Sequence, residues 1–161
     1  MLKKLFLYCV LIILVASCDS KSVFAEYKSI GGYWNKNEKI EFSFQAPDTI
    51  NKYNIFINLR NDEQYEFSNL FLIANIENTN NENVSDTLEY RMTEANGEWL
   101  GKGFSSLKEN KLWYKKNYTF SSNGECIITI EHAMRKNGDV DGIHELSGIK
   151  DIGIKIEKIS K

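Results

Sequence analysis

The sequence predicts an all-β protein: a single antiparallel β-sandwich, with the jelly roll as one candidate topology. Apolar and polar residues alternate in many short runs, which is the period of half-buried strands. Three Asn-Gly dipeptides, at 96–97, 123–124 and 137–138, separate such runs. Asn-Gly favours a hairpin turn because both residues tolerate positive φ. No stretch keeps a helical period, and about seven to nine strands suit a sandwich.

Apolar residues at every second position define five half-buried strands. They are Ile40, Phe42 and Phe44; Tyr53, Ile55, Ile57 and Leu59; Leu88, Tyr90 and Met92; Cys126, Ile128, Ile130, His132 and Met134; and Ile152, Ile154 and Ile156. The segment Leu70 to Ile76 is apolar on both faces and predicts a central strand. Turn residues at Pro47-Asp48, Asn61-Asp62 and 78–83 separate the runs, and Ser105 to Lys111 predicts a short helix or an irregular loop.

The N-terminus has the pattern of a lipoprotein export signal. Lys3 and Lys4 precede an uncharged apolar run from Leu5 to Val15, which is too short to span a bilayer. The run ends in VASC, which resembles the lipobox of bacterial lipoproteins. That signal implies cleavage before Cys18 and its acylation, with palmitate among the acyl chains. A plain secretory signal with an accidental cysteine is the alternative.

This interpretation divides the chain into three parts. Residues 1–17 are the signal peptide, 18–26 the lipidated N-terminus and tether, and 27–161 the β-sandwich domain. Two or more acyl chains anchor a protein to a membrane far more firmly than one.

Charge and cysteine content narrow the function classes. Loss of Lys3 and Lys4 from 20 basic residues leaves 18 against 22 acidic ones, which argues against a nucleic-acid partner. After processing, Cys126 is the one cysteine besides Cys18, so no internal disulfide can form. The core alone must stabilise the exported domain.

Catalytic motifs are missing from the sequence. The stretch from Gly101 to Gly103 lacks the third glycine of a dinucleotide fingerprint and indicates a tight turn or bulge. Cys126 and His132 share a strand face, but two ligands do not complete a zinc site, and a buried thiol with a packed histidine explains them better. We therefore predict no enzyme activity and no cofactor.

One loop resembles a calcium-binding sequence. Asn137, Asp139 and Asp141 alternate before a glycine, as in the start of an EF-hand loop. Position twelve is Gly148 instead of the bidentate glutamate, and no flanking helices are predicted. A hairpin loop rich in turn-forming residues is the alternative, so calcium remains a weak candidate and no metal site is predicted.

Aromatic residues offer a different candidate site. Trp34, Trp99 and Trp113 could form a platform that stacks on sugars, while packing in the core is the alternative. Thr49 and Thr87 stand in DTI and DTL, which look like the Asp-Ser/Thr-apolar O-glycosylation sequon of the Bacteroidetes. A turn-capping aspartate followed by a β-branched residue also explains both tripeptides.

The chain resembles the gliding motility lipoprotein GldH family of the Bacteroidetes. The resemblance rests on YNIFINLRNDEQYEFSNLFLI (53–73), DTLEYRM with GEWLGKGF (86–104), and GIKDIGIKIEK (148–158), together with the lipobox. It implies a cell-envelope lipoprotein required for gliding, acting as a non-catalytic assembly or stability factor of the gliding and type IX secretion apparatus. It carries over one site residue, the lipidated Cys18.

The expected partners follow from this resemblance and from the sequence. They are the membrane, through the N-terminal lipid, and other envelope proteins of the gliding and type IX secretion apparatus, with strand edges and the Asn61 to Glu66 loop as candidate contacts. We expect a periplasm-facing protein, more readily at the outer than at the inner membrane. The alternative function is a glycan- or peptidoglycan-binding envelope lipoprotein.

Overall fold

The computed structural model describes residues 21–80 and 82–159. This part of the chain forms ten β-strands and no helix. The strands are β1 (Ser22–Ser29), β2 (Tyr33–Asn35), β3 (Ile40–Gln45), β4 (Tyr53–Asn61), β5 (Asn69–Asn78), β6 (Asn83–Arg91), β7 (Lys108–Tyr118), β8 (Glu125–His132), β9 (Glu145–Ser147) and β10 (Ile149–Lys158). Within these residues no helix is long and apolar enough to cross a membrane.

Eight long strands form two antiparallel four-stranded sheets. The first sheet has the order β1-β10-β4-β7 and the second the order β3-β8-β5-β6, while β2 and β9 pair as a separate ribbon. If the long strands are counted along the chain, the orders are 1-8-3-6 and 2-7-4-5, the arrangement of a jelly roll. The predicted sandwich is therefore confirmed, with the jelly roll as its topology.

The inward faces of the two sheets build one apolar core. The first sheet contributes Ile55, Ile57 and Leu59, and the second contributes Phe42 and Leu72, all fully or almost fully buried. These residues occupy alternate positions, because successive side chains of a strand point to opposite faces. The predicted strand faces are confirmed, and β5 lies between β8 and β6 as a central strand should.

Two predicted boundaries change. Residues 22–26, predicted as part of the tether, belong to β1 and pair with β10. Phe24 of this strand stacks on Phe44 at a centroid distance of 4.8 Å, so β1 is part of the sandwich. For Ser105 to Lys111 the loop alternative is right only in part: residues 105–107 form a turn and loop and no helix, and β7 already begins at Lys108.

The loops divide between two ends of the sandwich, because consecutive long strands run in opposite directions. The long-loop end carries residues 30–39, 62–68, 92–107 and 133–148. The short-loop end carries residues 46–52, 79–80, 82 and 119–124, together with the start of β1 and the end of β10. The Lys158 N–H donates to the Lys21 carbonyl, and the Ile159 N–H donates to the Lys52 carbonyl. These two hydrogen bonds join the first and last described residues at the short-loop end.

Candidate functional site

Gly148 joins three segments at the long-loop end. Its N–H donates to the Gly32 carbonyl (3.0 Å), and its own carbonyl accepts from the Asp62 N–H (2.9 Å). Its φ is +83°, and a Cβ here would overlap the Tyr65 amide and lie 2.6 Å from the Gln64 carbonyl carbon. Only glycine allows this close approach of backbones at a positive φ. The loop after β4 is therefore packed directly on the start of β10.

Charged and polar contacts support the same junction. The Lys150 Nζ lies 2.8 Å from an Asp62 carboxylate oxygen, and the Ser147 hydroxyl donates to the Gln64 carbonyl (3.1 Å). Partial burial opposes ionisation of Asp62, but Lys150 and the Gln64 N–H hold the pKa of its carboxyl below the usual value. Tyr65 anchors the loop predicted as a contact by its burial, while Glu63, Gln64 and Glu66 of the same loop are exposed.

The loop between β6 and β7 is the most exposed apolar segment of this end. Gly101 lies against the Asn110 side chain, where a Cβ would be 2.7 Å from Oδ1, and Gly103 lies against the Leu107 carbonyl. Lys102 between these glycines forms a β-bridge with Glu109, and the turn itself follows at 105–106. Phe104 beside them is completely exposed, and Leu100 and Leu107 are 42% and 40% exposed.

Two open hollows flank this loop. The larger, about 1020 Å³, is walled by the loop after β4, the outer faces of β5 and β6, and the loop after β8. The smaller, about 760 Å³, lies between the β6–β7 loop and β7, with Leu100, Phe104 and Leu112 in its wall. Arg91 lines both hollows, so its side chain lies between them.

The larger hollow has an apolar floor and a charged rim. Phe71 and Met134 line it, and the Phe71 N–H donates to the Met134 sulfur (3.1 Å). On the rim, Arg91 pairs with Glu94 at 2.9 Å. Arg135 is exposed and forms no hydrogen bond or ion pair with the part of the chain that the structure describes. Such a rim suits a polar, charged polypeptide better than a small apolar ligand.

The three predicted tryptophans do not form one platform. Trp34 is fully buried, and its indole N–H donates to the Glu38 carbonyl (3.0 Å). Trp99 packs partly against the core, 6.3 Å from the Tyr65 ring. Trp113 is 45% exposed on the outer face of the first sheet. The prediction of Trp34 as a sugar-stacking residue is therefore wrong, because its ring is packed in the core and no sugar can reach it.

Cys126 and His132 face the core and do not form a reactive pair. Burial raises the pKa of the Cys126 thiol to about 12. Burial also lowers the pKa of His132, although its hydrogen bond to the Trp34 carbonyl opposes this shift. The His132 Nε2 lies 3.0 Å from that carbonyl, and its Nδ1 has no partner. Within residues 21–80 and 82–159, neither histidine forms a hydrogen bond with a hydroxyl or thiol.

The other predicted sites lie apart from one another. Asn137, Asp139 and Asp141 are exposed in the loop after β8, and no cluster of three or more His, Cys, Asp or Glu among the described residues could hold a metal ion. Thr49 is half-buried in the turn after β3, and Thr87 is exposed on β6. Cys18 lies outside the described residues. Glycosylation and lipidation therefore stay predictions.

Sequence reasoning missed a polar network on the outer face of the first sheet. The Tyr27 ring covers Gly153, its cross-strand partner, so that a Cβ there would lie 2.8 Å from the ring. The Tyr27 hydroxyl donates to Glu109 (2.9 Å) and accepts from Asn58 (2.9 Å). The Arg60 guanidinium lies 4.5 Å from the ring centroid. A glycine inside a strand was the one available signal, since an aromatic residue often covers such a position.

Comparison with known proteins identifies the family. The GldH lipoprotein family model matches residues 22–156. The chain belongs to the GldH lipoprotein family. It is 51% identical over 153 residues to the gliding motility lipoprotein GldH homolog of Christiangramia forsetii, covering 95% of this chain and 94% of that protein. It is 43% identical over 146 residues to the gliding motility lipoprotein GldH of Flavobacterium johnsoniae, covering 91% of each.

Among solved structures, that of the infectious bursal disease virus Gx strain aligns with this chain at a TM-score of 0.35 and 18% sequence identity. That alignment covers 88% of this chain and 33% of the viral chain.

The segments that carried the GldH resemblance converge on the long-loop end. Residues 53–73 run through β4, the loop packed on Gly148, and the start of β5. Residues 86–104 contain most of β6 and most of the β6–β7 loop, including Phe104. The third segment starts at Gly148 itself and follows β10. In this GldH-family fold, the three segments therefore supply the junction at Gly148 and one wall of the smaller hollow, while β7 supplies its other wall.

Proposed function

We propose that this protein is a cell-envelope lipoprotein, anchored through Cys18, that acts as a non-catalytic assembly or stability factor of the gliding and type IX secretion apparatus. The family membership and the names of the two relatives support a role in gliding motility. The chemistry of the fold agrees, since His132 and the Cys126 thiol are buried in the core and exposed His144 lies near Lys36. The protein would then act by binding other proteins.

The observation that carries this proposal is the exposed apolar tip formed by Leu100, Phe104 and Leu107. A phenylalanine that is completely exposed gains nothing for folding, whereas aromatic residues placed in a partner's pocket dominate many interfaces. The tip stands between two hollows whose rims carry Arg91 and Arg135. An apolar centre with a charged rim is the usual anatomy of a protein-binding surface.

The position of the tip suits a membrane-anchored factor. The chain enters β1 at the short-loop end, and the tip lies at the opposite, long-loop end. A strand rises roughly 3.3 Å per residue, so the eleven residues of β7 alone separate the two ends by more than about 30 Å. We propose that the lipid holds the protein at the periplasmic face of the outer membrane, with the tip directed away from the bilayer.

Genetic complementation tests the proposal. In a strain that lacks the gene, the Phe104→Ser variant should restore gliding and type IX cargo export poorly, because it removes the apolar anchor. Val140→Ser is the matched control: Val140 is 95% exposed in another loop of the same end and lines neither hollow. Equal complementation by both variants at equal protein levels would contradict the role of the tip. Normal gliding and export after deletion would contradict the function itself.

Glycan binding remains a second candidate on the strength of Trp113. This side chain is 45% exposed, lies 4.4 Å from the Phe56 ring, and has the Lys116 ammonium 4.6 Å from its own ring. An exposed aromatic beside a cation can stack on a sugar. The Trp113→Ala variant would lose polysaccharide binding under this alternative and would keep gliding function under the first.

A further inference from the structure

The short-loop end carries one exposed apolar side chain on a rigid turn. Ile50 is 87% exposed at the tip of the turn between β3 and β4. The Asp48 carboxylate accepts hydrogen bonds from the backbone N–H groups of Ile50 (2.9 Å) and Asn51 (2.7 Å), and from the Asn51 side chain (2.7 Å). The Tyr53 hydroxyl also donates to Asp48. The turn therefore holds Ile50 outward in a fixed position.

This turn lies next to the point where the chain leaves the domain. The Lys52 carbonyl accepts from the Ile159 N–H (3.1 Å), and the Lys158 N–H donates to the Lys21 carbonyl (2.9 Å). Only Asp19, Ser20 and Lys21 separate Cys18 from β1. Fully extended, that segment reaches roughly 14 Å, so a lipid on Cys18 would keep the short-loop end against the bilayer.

The charges around the turn favour an anionic surface. Lys21, Lys52 and Lys158 are all exposed at this end, on the side of the first sheet. Two acidic residues share this side, and both are engaged: Asp48 accepts the hydrogen bonds of the turn, and Glu157 of β10 pairs with Lys111 and Lys155. Other acidic residues of this end, Glu77, Glu82 and Glu125, belong to the second sheet or its loop. Basic side chains near a membrane are attracted by anionic lipid headgroups, and this attraction decays within a Debye length.

We infer that the β3–β4 turn is a second membrane contact: Ile50 inserts into the bilayer interface, and the flanking lysines bind anionic headgroups. The inference rests on the proposed lipidation of Cys18. The lipid alone would tether the domain without orienting it, whereas two contacts fix which end faces the membrane. The long-loop end, with its exposed tip, is then held away from the bilayer.

A fluorescent probe at position 50 tests the inference on the full-length lipidated protein. Ile50→Cys and, as the matched control, Val140→Cys are labelled with an environment-sensitive thiol probe. Cys126 does not compete for the label because it is fully buried and its thiol pKa is raised to about 12. Both variants are reconstituted into vesicles of phosphatidylethanolamine with phosphatidylglycerol, and emission and quenching by spin-labelled lipids are recorded.

We expect several-fold brighter, blue-shifted emission at position 50 with strong quenching by the lipids, and emission as in water at position 140. High salt should reduce the difference. Identical emission from both probes, on protein that floats with the vesicles, would overturn the membrane contact and leave the anchor intact. Protein that does not float with vesicles would overturn the lipidation and this inference with it. A glycan mass on Thr49 in the native protein would also overturn the contact, because it would hold Ile50 off the bilayer.

Discussion

Replacing Gly148 by alanine tests whether the junction at the long-loop end depends on close backbone approach. The left-handed conformation costs an alanine about 1 kcal/mol or slightly more. In addition, the new Cβ would lie 2.6 Å from the Gln64 carbonyl carbon and the Tyr65 Cα, so the loop after β4 must move. That movement would weaken the Asp62–Gly148 and Ser147–Gln64 hydrogen bonds, each contributing about 1 kcal/mol.

The expected total loss is therefore about 3 kcal/mol. At roughly 2–4 °C per kcal/mol for a chain of this size, the melting temperature of Gly148→Ala should fall by about 10 °C. Gly97→Ala is the matched control: Gly97 has almost the same φ, +85° against +83°, but nothing lies within 4 Å of its added Cβ. It should lose about 3 °C.

Thermal unfolding followed by near-ultraviolet circular dichroism measures both variants under the same conditions. If the melting temperature of Gly148→Ala fell by only about 3 °C, like that of Gly97→Ala, the reasoning would be refuted. That result would show that the loop after β4 moves without loss of contacts. A large loss in both would place the cost in the backbone conformation alone and not in the packing of the loop on Gly148.

Two further predictions follow from buried titratable groups. Burial lowers the pKa of His132 in the folded protein below the value of 6.5 that the residue has in the unfolded chain. Between these two pKa values, His132 is therefore protonated more in the unfolded state than in the folded state. Stability should therefore be unaffected by His132 above pH 6.5 and should fall as the pH drops below this value, by at most about 1.4 kcal/mol per pH unit, down to the folded pKa. His132→Gln should flatten this part of the profile in urea titrations at successive pH values, and an unchanged slope would contradict the assignment. The Cys126 thiol, whose pKa is about 12, should react with iodoacetamide in the native protein at a rate set by unfolding, and rapid alkylation at neutral pH would show that the core is open.

Much of the fold was predictable because the strands place an apolar residue at every second position, on the side that faces the core. Isoleucines at 152, 154 and 156 and the run from Ile55 to Leu59 could face a core in only one register. The boundary at β1 was missed for the opposite reason. This edge strand is half-exposed, and Phe24 is its main contribution to the core, so its sequence lacks a long apolar period.

The candidate site was less predictable, since its features depend on the tertiary arrangement. Sequence alone cannot distinguish a tryptophan buried at position 34 from one exposed at position 113. The glycines before Phe104 predicted a tight turn or bulge, and a turn follows them at 105–106, but the complete exposure of Phe104 could not be deduced from the sequence. This tip and the start of β1 lie at opposite ends of the sandwich because of the strand order. The alternation of apolar residues along the sequence does not predict that order.

Site-specific photo-crosslinking from position 104 tests the central claim most directly. A photoreactive phenylalanine analogue at position 104 of the lipidated protein, with position 140 as the control, is activated in intact cells and the crosslinked proteins are identified by mass spectrometry. The proposed function predicts gliding or type IX secretion components crosslinked from position 104 and not from position 140. Crosslinks from both positions to the same abundant envelope proteins would contradict a partner site at the β6–β7 loop.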